Sequence, residues 1–278
     1  MRPRYLSTFL IYILIQSTLL LHAQDSTFTN SIGMEFIRIE PGSYTLGKFE
    51  PSYPKPGGKK TADSYKDNEY KLAEQLANKD ALPGFSVTIE NSFYIGKFEV
   101  TQAQWKKVMG SNPSIFQGDK VSDNADDHPV DNVTWAQAQE FVKKLNALDK
   151  ERTYRLPTEF EWEYAARAGK KEDISWAEIR EVAQMGTRTT NKVGGKKPNA
   201  WGIYDVLGNV WEWVEDFYNE KLFADSIPSK TGKVHVLKGA SFTGDVKNAT
   251  YMTHAAGPGN GWDVGFRVLM ETKQTNNK

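Results

Sequence analysis

Glu212 stands between two tryptophans in the run Gly202-Ile-Tyr-Asp-Val-Leu-Gly-Asn-Val-Trp-Glu-Trp-Val-Glu-Asp216. A carboxylate set between two bulky rings loses hydration and needs a partner. An arginine or a set of backbone amides would make it a buried, hydrogen-bonded glutamate. A hard cation such as calcium would serve equally, with backbone carbonyls of the Gly208-Asn209 turn completing an all-oxygen site. Other candidate groups carry less. His128, His235 and His254 show none of the i, i+2 or i, i+4 spacings that favour a metal site, so they read as scattered structural or exposed residues. Glu159 and Glu163 can share a helix face as an acid pair, yet Arg155 and Arg167 lie close enough to neutralise them. Val193-Gly-Gly-Lys-Lys197 lacks the spacing and the Ser/Thr of a phosphate loop and reads as a turn. The chain has no cysteine, which excludes disulfides, thiol nucleophiles, thiolate-bound metals and lipid attachment through an N-terminal cysteine.

The elements that must position these groups are mixed. Residues 31–49 alternate apolar and polar positions around Pro41-Gly42 and predict a β-hairpin. Residues 50–84 are rich in turn formers and charge and read as a surface insertion. Phe85–Ile89 and Ser92–Val100 are strand-like. Three helices then open with one chemistry: Thr101…Gln104, Thr134…Gln137 and Thr158…Glu161 each fit a capping box. Gly110 and Asn112-Pro113 stop the first. Trp135, Ala138, Phe141, Val142, Leu145 and Leu148 form one buried stripe on the second. The third runs toward Gly169, with Glu163 and Arg167 paired on its exposed side. Beyond residue 170 the pattern is irregular, with short strands at Val234–Leu237 and Phe266–Met270. The reading is one α+β domain with many loops.

The first residues bear on compartment. Arg2 and Arg4 precede an uncharged, mostly apolar run from Tyr5 to Leu21, and Ala23 supplies a small residue before Gln24. This predicts a signal peptide over residues 1–23 rather than an uncleaved anchor. Its removal leaves roughly 255 residues, ample for one large core, and no second segment of membrane-span length. Lys+Arg then falls from 35 to 33 against 35 Asp+Glu. A nearly neutral chain gives no electrostatic footprint for nucleic acid. Eight Trp, 14 Phe and 12 Tyr predict an aromatic core.

Several of these runs together resemble the formylglycine-generating-enzyme (sulfatase-modifying factor) family. They are Val100-Thr-Gln-Ala-Gln-Trp105 with Val108–Ser114, His128–Ala138, Tyr154–Gly169, Pro198–Asp205 with Gly208–Trp213, Lys238–Phe242 and Gly265–Val268. The resemblance covers about residues 31–270 in order and implies a loop-rich α+β fold of the modified C-type-lectin-like kind. It also implies calcium at the turn matching Leu207, Gly208, Val210 and Glu212, through three carbonyls and the glutamate. The family's oxidases bind copper and substrate through two cysteines. Those positions fall near Gly244 and Ala249 here, and neither residue offers the soft thiolate that copper and nucleophilic chemistry require. Copper is therefore not expected, and a formylglycine-generating-type oxidoreductase acting on sulfatases is disfavoured.

The leading expectation is an exported, periplasmic or extracellular, non-catalytic module that binds a glycan or peptide. Its groove would come from the closing segment: Phe242, Asp245, Asn248, Tyr251, Asn260 and Trp262, where rings stack and amides direct hydrogen bonds. The alternative is a scaffold for envelope proteins in a secretion or gliding assembly.

Overall fold

The computed structural model describes residues 25–46, 71, 84–171, 174, 176–245, 250–257 and 261–272. The expected signal segment and nearly all of the expected insertion lie outside the described residues.

Among the described residues, three sheets form. The largest has five strands, β1 (Thr27–Thr29), β2 (Glu35–Ile39), β5 (Phe93–Gly96), β11 (Leu269–Glu271) and β6 (Tyr154–Arg155), in that order across the sheet. All four of its pairings are antiparallel. A second sheet runs β10 (Val264–Gly265), β7 (Trp211–Phe217), β8 (His235–Lys238) and β9 (His254–Ala256), with β10 and β7 parallel. The third is a two-stranded ribbon of β3 (Gly42–Leu46) and β4 (Phe85–Ile89).

The expected hairpin over 31–49 does not form. β2 and β3 are both strands, but they enter different sheets: β2 pairs with β1 and β5, and β3 pairs with β4. Alternation fixes which face of a strand is buried and leaves its partner open.

The helices follow their caps. α1 (Gln102–Met109), α2 (Trp135–Leu148) and α3 (Glu159–Arg167) each begin with a complete capping box, Thr101/Gln104, Thr134/Gln137 and Thr158/Glu161. Gly110 closes α1 in the left-handed region at φ 76°, where glycine carries no Cβ penalty. On α2, Ala138, Phe141, Val142 and Leu145 are buried, whereas Leu148 is 60% exposed and lies outside the expected stripe. α4 (Trp176–Val182) and α5 (Leu222–Asp225) fall in the stretch that looked irregular in sequence.

Two apolar cores form. One gathers around Trp162, Leu207, Val214 and Val236. The other gathers around Trp105, Phe141, Trp213 and Phe266, with Trp105 stacked on Phe141 at 5.5 Å and met edge-on by Phe266. Burying a large aromatic chain contributes about 2–3 kcal/mol, so these cores hold the polar groups described next.

Candidate functional site

Glu212 lies on β7 and is fully buried. Arg267, from the segment between β10 and β11, grips it with both prongs: Nε donates to Oε2 at 2.6 Å and Nη2 to Oε1 at 2.5 Å. The indole N–H of Trp162 on α3 adds a third bond to Oε2 at 2.6 Å. Arg267 spends further donors on the carbonyls of Gly96 and Tyr204, each at 3.1 Å. The first of the two sequence readings of Glu212, a buried hydrogen-bonded glutamate, describes this geometry.

The residues do not fit a calcium ion held by Leu207, Gly208, Val210 and Glu212. Both Glu212 oxygens are engaged by a guanidinium, which would repel a cation brought to the same carboxylate, and the Leu207 carbonyl accepts from Gln184 N–H at 2.9 Å. Glycine is required at Gly208 for another reason: φ is 93° and a Cβ would collide with the Gln184 carbonyl.

Two more carboxylates share this neighbourhood. Glu99 accepts from Val210 N–H at 3.1 Å and Asn209 Nδ2 at 2.7 Å. Burial, reinforced by the charges of Asp205 and Glu212, pushes its pKa well above the ordinary value. Asp205 accepts from Gly194 N–H at 2.6 Å through Oδ2, while Oδ1 has no hydrogen-bond partner among the described residues. Burial raises its pKa to about 6. Three carboxylates thus surround one arginine.

A second buried ionic group lies across Trp162. Lys238 on β8 is wholly buried and donates to Glu163 Oε2 at 3.0 Å, to Glu159 Oε1 at 3.5 Å and to the Met252 carbonyl at 3.5 Å. Its Nζ sits 5.6 Å from the centre of the Trp162 ring. Arg167 binds Glu163 at 2.8 Å and His254 binds Glu159 at 2.9 Å. The Glu163–Arg167 pair is therefore real but buried, not on the exposed side, because Lys238 of β8 and the Tyr44 ring of β3 lie against it. Arg155 does not serve the pair: it forms a fork with Glu161 at 2.6 and 2.7 Å instead. Burial opposes the Glu159 carboxylate, yet Lys238 and His254 together outweigh it, and its pKa falls below the ordinary value.

Of the closing-segment residues, Phe242 is fully buried and meets Phe116 and Trp262 edge-on at 5.1 and 5.5 Å. Trp262 is 48% exposed and rests against Phe116 at 6.0 Å. Tyr251 is buried within the Trp162 core and does not reach this face. Asp245 is exposed, and Asn248 and Asn260 lie outside the described residues. The structure supplies groups not singled out from sequence. Ser241 Oγ donates to Asp263 Oδ2 at 2.6 Å and lies 2.9 Å from the Thr243 hydroxyl. Asp131, fully buried, holds the backbone N–H groups of Ile115 and Phe116 at 2.6 and 3.3 Å, fixing the ring on which Trp262 rests. Burial raises the Asp131 pKa to about 6. Gly244, near which the resemblance puts one family thiol, packs beside Met185.

His128 is not a loose surface residue. It is buried, 3.0 Å from Thr190 Oγ1 and 2.7 Å from Asp123 Oδ1. The hydroxyl end of this array is itself buried, so it ties two loops together rather than facing solvent. Sequence spacing could not show it, since 62 residues separate His128 from Thr190.

The fold is a loop-rich α+β domain in which the Glu212–Arg267 pair ties β7 to the segment between β10 and β11. The model of the sulfatase-modifying factor enzyme 1-like domain matches residues 24–272, and the chain belongs to that family. It is 27% identical to the chaperone protein LppX of Paenibacillus barcinonensis, over 94% of this chain and 98% of that protein. It is 29% identical to the formylglycine-generating enzyme of Thermomonospora curvata over 51% of this chain, and spans about half (52%) of that enzyme's length. Among solved structures, Treponema denticola variable protein 1 superposes with a TM-score of 0.67 at 25% identity, covering 88% of this chain and 98% of that one. PvdO from Pseudomonas aeruginosa gives 0.66 at 22% identity, covering 88% and 98%.

Proposed function

We propose that this chain is a non-catalytic binding module, exported through its N-terminal segment, whose face around Trp262 takes a glycan or an extended peptide. The observation that supports it is a half-exposed indole braced by two further rings, with the Ser241–Asp263–Thr243 group on the same closing segment. A ring held rigid before binding loses little entropy on contact, and hydroxyl and carboxylate groups give direction. The lack of any thiol argues against the family's oxidase chemistry.

A second reading is a partner-protein role, as scaffold or chaperone, in the cell envelope. The match to a protein named as a chaperone over 98% of its length favours it, and it makes peptide the first ligand to try. Probing glycan and peptide arrays with the chain and with Trp262→Ala tests both. Saturable binding weakened about tenfold or more by the substitution supports the face, as expected for an anchoring tryptophan. Equal retention by Trp262→Ala, or oxidation of a cysteine peptide by the copper-loaded protein, overturns it.

A further inference from the structure

A groove of about 660 Å³ shares no residue with the Trp262 face. One wall is the β4–β5 turn, the other is the segment from Glu151 to Glu161, and the end of β11 closes it. Ile89 and Phe93 are buried beneath it, with the half-buried Phe160 beside them. Thr153 and Asn91 are exposed at the walls, and neither side chain has a hydrogen-bond partner among the described residues.

The charges in this groove do not balance. Glu90, Glu151, Glu161 and Glu271 line it against only Arg152 and Arg155. Arg155 is saturated by Glu161 at 2.6 Å and Glu271 at 3.0 Å. Arg152 turns away, to Asp149 at 3.3 Å and over the Phe28 ring at 4.3 Å. Glu151 reaches Arg152 only at 3.9 Å with its side chain 79% exposed, and Glu90 is exposed with no ion-pair partner among the described residues. The groove therefore combines an apolar floor, uncommitted hydroxyl and amide groups, and two exposed glutamates, Glu151 loosely paired with Arg152 and Glu90 with no ion-pair partner among the described residues.

We infer that this groove is a second binding site and that it takes an extended peptide segment bearing lysine or arginine. The aliphatic stem of such a side chain lies on an apolar floor while its charged head stays at the rim, where Glu90 and Glu151 meet it. Thr153 and Asn91 supply partners for the peptide's own amide groups. A neutral sugar would leave the surplus glutamates unanswered, and an acidic segment would be repelled.

The test is titration of the full chain with acetyl-Gly-Lys-Val-Lys-Gly-amide, its glutamate counterpart and a neutral trisaccharide, followed by calorimetry. Saturable binding of the lysine peptide alone is expected, weakening at least about fivefold from about 50 to about 500 mM salt. The Glu90→Gln/Glu151→Gln double variant should weaken it by about fivefold, whereas Trp262→Ala should leave it unchanged. Both substituted glutamates are exposed, and coincident thermal melts will confirm an intact fold. Absence of saturable binding, equal binding of the glutamate peptide, preference for the trisaccharide, or loss of binding in Trp262→Ala instead of the double variant each overturns the inference. The last outcome would leave the Trp262 reading standing, and the reverse pattern would leave the groove standing alone.

Discussion

The two faces of Trp162 look onto ionic groups of different composition. On the ring side, the two carboxylates held by Lys238 and Arg167, Glu159 and Glu163, are matched two to two, with His254 alongside; Asp216, which accepts from the Glu159 N–H, stands outside these pairs, and burial raises its pKa to about 6. On the indole N–H side, Glu99, Asp205 and Glu212 have Arg267 as their one cation among the described residues. Burial disfavours every one of these charges, so the local count decides the outcome. Where cations match anions, the Glu159 carboxylate stays ionised and its pKa falls. Where carboxylates outnumber the cation, those not gripped by Arg267 are pushed toward protonation. The balanced group behaves as a permanent brace and the unbalanced one as a proton reservoir around one fixed ion pair.

The most severe way to break this contrast is Arg267→Met. It strands Glu212 in a dry site already short of positive charge and should cost about 4 kcal/mol of unfolding free energy, read from urea denaturation; a loss below about 1 kcal/mol would show that Trp162 alone can hold the carboxylate. Lys238→Met should cost somewhat less, about 3 kcal/mol, because Arg167 and His254 still face the two glutamates. Should it cost more than Arg267→Met, the charge-count explanation fails.

The mildest test sharpens the sign. A carboxyl whose folded pKa is raised contributes full stability below its unfolded value near 4 and loses it as pH rises through about 6. Asp205→Asn mimics the protonated form, so the variant should equal wild type below about pH 4 and exceed it by about 3 kcal/mol above about pH 7. A difference that does not vary with pH would refute the assignment. Glu159 runs the other way: its contribution is present above about pH 4.5 and is lost as pH falls through its depressed value.

Local chemistry was legible in the sequence and long-range chemistry was not. Each capping box needs only residues three apart, and all three form. The family runs likewise marked the fold, since their order along the chain carries it. Glu212 was recognised as a group in need of a partner, but Arg267 stands 55 residues away and no periodicity links them. Lys238 opens one of the family runs, yet nothing near it in the sequence points to its partner, because 75 residues separate it from Glu163. The hairpin reading of 31–49 failed for the same reason, because burial alternation says nothing of which strand lies alongside. Residue type places Tyr251 on the binding face, whereas packing holds it in the Trp162 core.

The largest sheet carries a consequence in time. β11 is the last strand described, yet it lies between β5 and β6 rather than at an edge, 174 residues after Ile95 where Leu269 pairs with it. Until that strand leaves the ribosome the sheet has a gap in its middle, and Glu212 waits in the same interval for Arg267. Such separations make closure slow. This sheet can therefore close only late, once β11 is available to pair with both β5 and β6.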